Sequence, residues 1–252
     1  MKIYYHFYTN KGKIRQNNED GILVMDELYL ENDFDTYKEA IVENENFLFC
    51  VADGMGGHNK GEVATKIVLE TIREKKSELY ENIVEVLKES KKRLNDYIKN
   101  HSDAYGLGCA IAGISIKNEK AKIFNVGDCR VYKYINNKLI RITKDHSVVE
   151  ELLSDGLIQE NEIKNHPKRS VLTSAIMGDD SNEIPKITIK EIEELFPNDI
   201  FLICSDGLWD ELKQEEIKSS LNEENPSFAL LQALSQKPLK DNVSYIYLKI
   251  ES

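Results

Sequence analysis

Cysteine is scarce in this chain, and its placement is inert. The four residues Cys50, Cys109, Cys129 and Cys204 show no C-x-x-C spacing, and each sits in or beside an apolar, strand-like run. Buried free thiols in a reducing cytosol are therefore favoured over zinc or disulfides. Long hydrophobic runs are missing too. The longest, such as Ile200 to Cys204, fall far short of the ~20 residues a membrane span needs. The opening Met1-Lys2-Ile3-Tyr4-Tyr5-His6 has no continuous apolar core and no small-residue cleavage site, so no signal peptide is read. A cytoplasmic location with no membrane attachment is expected. Cations are in deficit: Lys+Arg number 33 against 44 Asp+Glu, a formal net charge of −11. Binding to nucleic-acid phosphates is driven by clustered Lys and Arg, so no nucleic-acid partner is expected, a local basic patch aside. Internal repeats and low-complexity linkers are absent.

What remains is an ordinary globular inventory. At 252 residues, 41% hydrophobic and 31% charged, the chain is too apolar to be disordered and too charged to be fibrous. A chain of this length buries roughly 70–75% of its unfolded surface without staples. Periodicity predicts strands near Lys2–Thr9, Gly21–Met25 and Phe47–Ala52. Helical spacing follows from about Gly61 (Val63, Ile67, Val68, Thr71, Ile72) and again from about Glu81 (Ile83, Leu87, Leu94, Ile98). Strand-like runs return at Leu107–Ile116, Ala121–Asn125, Arg130–Tyr134 and Leu139–Ile142, with Asn136-Asn137 as a turn signal. Ser147–Leu153 reads as a short helix, and Ser154 to Pro185 as irregular. Strand Ile200–Cys204, helices near Gln214–Leu221 and Ser227–Ser235, and strand Val243–Ile250 complete the chain. Strands and helices come in runs, which points to α+β layers. Chemistry-bearing residues lie at both ends, so a single domain over 1–252 is expected.

Those residues are carboxylates at strand ends. Phe47 to Ala52 stops at Asp53-Gly54, and Phe201 to Ser205 stops at Asp206-Gly207. Phe124-Asn125-Val126 stops at Gly127-Asp128. Glu19-Asp20 precedes Gly21 to Val24, and Asp241-Asn242 precedes the last strand. A carboxylate at the tip of a core strand is rigidly aimed, and a following glycine lets the backbone approach a ligand. Several that converged would repel one another unless a cation neutralised them. Oxygen ligands suit Mg²⁺ or Mn²⁺ rather than zinc. One Asp-Gly at a strand end is more often a turn than a ligand; several together shift that balance, although spacing alone does not bring them together.

Taken in order, these segments resemble the type 2C metal-dependent protein phosphatases, in their bacterial form. Arg15…Asn18-Glu19-Asp20 is similar to the family's opening element. Asp53-Gly54-Met55-Gly56-Gly57-His58 resembles its Asp-Gly-x-Gly-Gly. Gly127-Asp128-Cys129-Arg130 stands where the family has Gly-Asp-Ser-Arg, and Asp145-His146-Ser147 where it has Asp-His-Ser. Ser205-Asp206-Gly207-Leu208-Trp209-Asp210 and Asp241-Asn242 are similar to its last two elements. The resemblance covers nearly the whole chain. It implies a four-layer α-β-β-α sandwich with two central antiparallel sheets. It implies hydrolysis of phosphoserine and phosphothreonine in proteins, with two divalent ions. Asp53 would bridge both ions, with Glu19 and the Gly54 carbonyl completing one and Asp206 and Asp241 the other. Asp128, with Asp206, would hold a third, weaker ion. Asp20 and Asn242 would orient ligands, and Arg15 would hold the phosphate. The implied partners are phosphorylated proteins, substrates of a Ser/Thr kinase, and a monomer is expected.

Three departures stand out. Met55 takes a place where many eukaryotic members carry His, which leaves the leaving-group acid unassigned; His58 and His146 are nearby, with structural roles favoured. Cys109-Ala110 replaces the usual Thr-Thr. Ala175-Ile176-Met177-Gly178 is one residue longer than the usual Ala-Leu-Gly beside the flap, about residues 153–185. The flap carries Lys164, His166, Lys168 and Arg169. They are either part of a solvated loop or a docking patch for acidic phosphopeptides, with Lys168 and Arg169 as candidates. Two alternatives to a protein phosphatase stay open: a non-catalytic phospho-binding or sensing domain on this scaffold, and a phosphatase of a small phosphorylated metabolite.

Overall fold

The computed structural model describes residues 1–56 and 60–251. The strands are β1 (Lys2–Asn10), β2 (Gly21–Val24), β3 (Glu27–Leu30), β4 (Lys38–Glu43), β5 (Asn46–Met55), β6 (Gly108–Lys117), β7 (Lys120–Val126), β8 (Arg130–Ile135), β9 (Lys138–Arg141), β10 (Ile176–Met177), β11 (Thr188–Ile192), β12 (Ile200–Cys204) and β13 (Val243–Glu251). The helices are α1 (Gly61–Glu74), α2 (Lys76–Asn100), α3 (Val148–Ser154), α4 (Glu160–Ile163), α5 (Asp206–Trp209), α6 (Gln214–Leu221) and α7 (Pro226–Ser235). One sheet runs β4-β1-β13-β12-β8-β9; the other runs β11-β7-β6-β5-β2-β3, with β10 pairing on β6. All pairings are antiparallel.

Period-two alternation builds the layers. In β5, Phe47, Phe49 and Val51 enter the core between the sheets, while Leu48, Cys50 and Ala52 face α1 and α2. In β13, Ile246, Leu248 and Ile250 point inward, and Tyr245 and Tyr247 face α5–α7. Two sheets buried on both faces need helices outside, which gives the expected α-β-β-α sandwich. All four cysteines are free and buried, and burial pushes each thiol's pKa up. The Asn136-Asn137 turn holds: both residues take positive φ, as a two-residue hairpin requires.

Four strands escape the pattern reading: β3, β4, β11 and the two-residue β10. β4 presents Lys-Glu-Ala-Ile-Val-Glu with almost every side chain exposed, and its ladder with β1 holds it in place. β3 and β11 are likewise edge strands with half-exposed faces. α2 starts at Lys76, before the expected Glu81, and non-helical Asn82 marks the break between its two parts. The flap's irregularity is as expected apart from α4 and the short β10. There Ile176 and Met177 pair with Cys109 and Gly108, so the longer Ala-Ile-Met-Gly segment meets the Cys109-Ala110 departure in one ladder.

His6 on β1 is fully buried, stacked on Tyr247 with ring centroids 4.5 Å apart, and neither ring nitrogen has a partner among the described residues. Burial lowers its pKa to about 3, against about 6.5 in an unfolded chain. Between those values the unfolded state binds more protons, so the stability His6 contributes is present above pH 6.5 and is lost as pH falls toward 3. His6→Phe should flatten the fall of unfolding free energy between pH 6.5 and 4 by up to about 1.4 kcal/mol per pH unit. Urea titrations of the two proteins across that range check this; parallel curves would reject it.

Candidate active site

The expected carboxylates sit at one shared end of the two sheets. Asp53 lies near the C-terminal end of β5, paired with Ala110 of β6. Glu19 and Asp20 immediately precede β2, whose Gly21 pairs with Ala52 beside Asp53. Asp206 opens α5 directly after β12, and Asp241 lies just before β13, the strand that pairs with β12. Asp128 occupies the turn between β7 and β8. Antiparallel pairing is what brings these distant segments to the same edge.

Two contacts without room for a side chain tighten the arrangement. A Cβ at Gly207 would lie 1.9 Å from the Asn242 carbonyl oxygen, so only glycine lets α5 press Asp206 against the Asp241 loop. A Cβ at Gly61 would lie 2.8 Å from both the Glu19 carboxylate and the Gly54 carbonyl carbon, so the start of α1 seats directly on both. Asn242 then clamps the loop that carries Arg15 and Glu19. Its Nδ2 donates to the carbonyls of Lys11 at 3.0 Å and Asn17 at 2.9 Å, and its Oδ1 accepts from the Glu19 N–H at 2.9 Å.

The electrostatics are those of crowded acids in a dry corner. Burial, and then the charges of Asp20, Asp206, Asp128 and Asp241, push the Asp53 pKa well up. Burial also raises Asp128, with Asp206 and Asp145 adding to it and Arg130 opposing. Asp20 rises to about 7 through burial, opposed by the neighbouring serines Ser244 and Ser205; the Ser205 hydroxyl donates to its Oδ2 at 2.8 Å. Asp206 rises to about 6 through burial and then the Asp241 charge. Glu19 rises through burial and the neighbouring Glu62. Among the described residues, Asp20 Oδ1, Asp206 Oδ1 and Glu62 Oε2 are buried without a partner.

Among the described residues, no three His, Cys, Asp or Glu side chains form a ready-made metal cage. One of the expected ligands is engaged otherwise: Asp241 Oδ2 accepts from Arg15 at 2.7 Å. The chemistry of the donor set still fits a hard cation. It is all oxygen, its members raise one another's proton affinity, and buried oxygens are left unpaired.

Arg15 is half exposed and feels Glu19 and Asp53 as well as Asp241. Its exposed ion pair is weak and readily exchanged. Across the cleft, Trp209 Nε1 donates to the Asp128 carbonyl at 3.1 Å, and the Arg130 guanidinium lies 3.5 Å from the Trp209 ring centre. The flap is tied down beside them: Arg169 Nη1 donates to Asp210 Oδ1 at 3.0 Å, and Nη2 reaches Oδ2. Arg169 therefore meets Asp210 rather than open solvent, whereas Lys168 is exposed. His146 braces the Asp128 turn. Its Nδ1 accepts from the Gly127 N–H at 3.1 Å, and Nε2 meets the Thr188 hydroxyl at 2.9 Å. His58 lies outside the described residues. Sequence reasoning missed Glu62; its one signal was its place in the first turn of a helix that follows Asp53-Gly54 closely.

Comparison with known proteins agrees with the fold. The family model of protein phosphatase 2C matches residues 11–152. The serine/threonine phosphatase Stp of Listeria welshimeri is 29% identical over 226 residues, covering 85% of this chain and 81% of that protein. The structure of Stp1 from Staphylococcus aureus superposes with a TM-score of 0.80 at 29% identity, over 98% of this chain and 95% of the other. The catalytic domain of the phosphatase PstP, solved with two manganese ions, superposes with a TM-score of 0.78 over the full length of both chains. At 23% identity that last likeness is one of fold. The chain thus belongs to the protein phosphatase 2C family, whose members are serine/threonine protein phosphatases. Among the described residues no helix is long and apolar enough to cross a membrane.

If a cation relieves this cluster, Mn²⁺ at a hundredfold excess over its Kd should raise the melting temperature by about 5–10 °C. Asp53→Asn removes one of the repelling charges, so the metal-free variant should melt above metal-free wild type and gain less from Mn²⁺. Calorimetry with and without ion checks both; an equal gain in the two proteins would count against the cluster as the binding place.

Proposed function

We propose that this chain is a single catalytic domain that hydrolyses phosphoserine and phosphothreonine in proteins with the help of divalent cations. The observation that carries the reading is the convergence of buried acids from five separate segments, with unpaired oxygens, beside an exposed arginine. Glu19, Asp53 and the Gly54 carbonyl would hold one Mg²⁺ or Mn²⁺, and Asp53, Asp206 and Asp241 a second. Asp128 with Asp206 would hold a third, weaker ion. When bound, such ions make water acidic enough to attack at neutral pH and offset the charge on the phosphoryl oxygens.

The chain's own residues do the rest. Asn242 fixes the loop that presents Glu19 and Arg15. Ser205 holds Asp20, and Asp20 in turn bears on Asp53. Arg15 offers a planar fork that matches two phosphate oxygens, a geometry Lys does not reproduce. Holding the phosphate still is what in-line displacement needs. The buried, protonated thiols supply no nucleophile.

Chelator should abolish turnover of an aryl phosphate and Mn²⁺ should restore it, whereas full activity in excess chelator would defeat the reading. Arg15→Ala should lower kcat/KM by about 100-fold, or about 2.7 kcal/mol of transition-state stabilisation. Arg15→Lys should recover little of that, and full recovery would reduce Arg15 to a simple charge. Turnover of a phosphopeptide at least as efficient as that of small phosphorylated metabolites separates a protein phosphatase from a metabolite phosphatase.

The flap supports phosphopeptide docking through Lys168, and Arg169 sets the flap's position through Asp210. Lys168→Ala should raise KM for an acidic phosphopeptide while leaving KM for an aryl phosphate in place. Arg169→Ala should alter both substrates, because it releases the flap. Steady-state kinetics of the two variants on both substrates check this, and identical profiles would remove the distinction.

A further inference from the structure

A second cavity, of about 390 Å³, opens at the opposite end of the β11-to-β3 sheet. That volume lies within the range of small-molecule sites. From Leu48, which lines it, to Asp53 is five strand residues, or about 17 Å along β5. None of the residues placed in the active site lines it. Leu48 of β5 and Ser115 of β6 are cross-strand partners on the helix-facing side of the sheet. Lys76 and Tyr80 from the first part of α2 form the opposite wall, and Lys117 and Asp26 stand at the rim.

Three observations indicate what would fill it. Ser115 is only 4% exposed, and its hydroxyl makes no hydrogen bond among the described residues. Ser115 lines the cavity, so its hydroxyl is open to whatever enters. The lining is apolar at Leu48 and aromatic at Tyr80, which suits a flat hydrocarbon body. Two ammonium groups, Lys76 and Lys117, and the one carboxylate of Asp26 line it. Lys117 and Lys122 also crowd the same Tyr80 ring, with their nitrogens 5.7 and 4.9 Å from its centre. Each lysine has a carboxylate mate: Lys76 with Asp26, Lys117 with Glu81 at 2.9 Å, and Lys122 with Glu191 at 3.3 Å. Lys76 and Lys117 are well exposed in those pairs, and exposed pairs of this kind exchange at little cost.

We propose that this cavity binds a small organic anion, with its planar apolar body between Leu48 and Tyr80, its acid group at Lys76 and Lys117, and Ser115 as hydrogen-bond partner. The site is separate from the hydrolytic centre and does not depend on the function proposed for it.

Anilinonaphthalene sulfonate is the probe, added to the Mn²⁺-loaded full chain and followed by fluorescence. Saturable binding at one site per chain is expected. Ser115→Leu, which fills the floor, should weaken it by about tenfold or more while leaving melting temperature and aryl phosphatase activity in place. Lys117→Glu should weaken it similarly, as should replacing the probe by the uncharged N-phenylnaphthylamine. Inorganic phosphate, which would compete at the hydrolytic centre, should not displace it. Non-saturable binding, an affinity unchanged in Ser115→Leu, or displacement by phosphate would overturn the site. Equal binding of the charged and uncharged probes would overturn the anion. If Ser115→Leu does not fold, Lys117→Glu and mapping of probe-induced amide shifts onto Ser115 and Leu48 decide the matter.

Discussion

Like charges held close together and away from water shape this molecule more than any other feature. Asp20, Asp53, Asp128 and Asp206 all hold protons above the ordinary carboxylate range, first through burial and then through one another. Left alone, they would push the ends of β5, β12 and β13 apart. The two-sheet core resists that push, because Phe49, Val51, Ile203 and Ile246 are fully buried in one cluster behind the acids. A rigid backing of this kind lets a repulsive site persist, and glycines at 61 and 207 let the backbones that carry the acids approach more closely than side chains would permit.

A second set of charges close by shows the opposite design. Arg130 is bidentate with Asp145, Arg141 reaches both Asp145 and Glu150, and Arg130 also meets the Tyr132 hydroxyl. Nearly every donor there has its acceptor. Breaking such a buried pair is costly, although the intact network adds little net stability. The contrast separates scaffold from site. The matched network anchors Trp209 and, through its indole N–H, the turn that carries Asp128. The unmatched acids face the cleft, and that imbalance is what a cation would correct.

Much of this was legible in the sequence wherever burial imposed a period. β5 and β13 alternate between two buried faces, and the helix after Asp53-Gly54 shows its stripe. The order of the motifs carried the family. Edge strands were not legible: β4 is held by main-chain bonds to β1, and its exposed side chains need no pattern. The start of α2 was missed because Lys76-Ser77-Glu78 is polar, and the apolar stripe becomes clear only beyond Asn82. Side-chain pairing was the least legible. Arg169 reads as a free flap cation until the fold sets Asp210, forty-one residues away, against it. Glu62 reads as a surface acid until α1 seats on Glu19.

In the proposed hydrolysis the leaving serine oxygen would have to gain a proton, and the described residues narrow its source. Met55 cannot donate one. His146 is pushed down to about 4, mainly by burial, so it is neutral at pH 7. Its two ring nitrogens are also engaged by the Gly127 N–H and the Thr188 hydroxyl. It serves the Asp128 turn as a brace and has no free proton to give. The cluster carboxyls hold protons only while their charges are unrelieved, and any cation that relieves them lowers that hold. They are therefore poor acids in the state that would catalyse. Among the described residues none is left as a ready donor, and solvent water can reach a cleft whose Arg15 and Asp241 both remain substantially exposed.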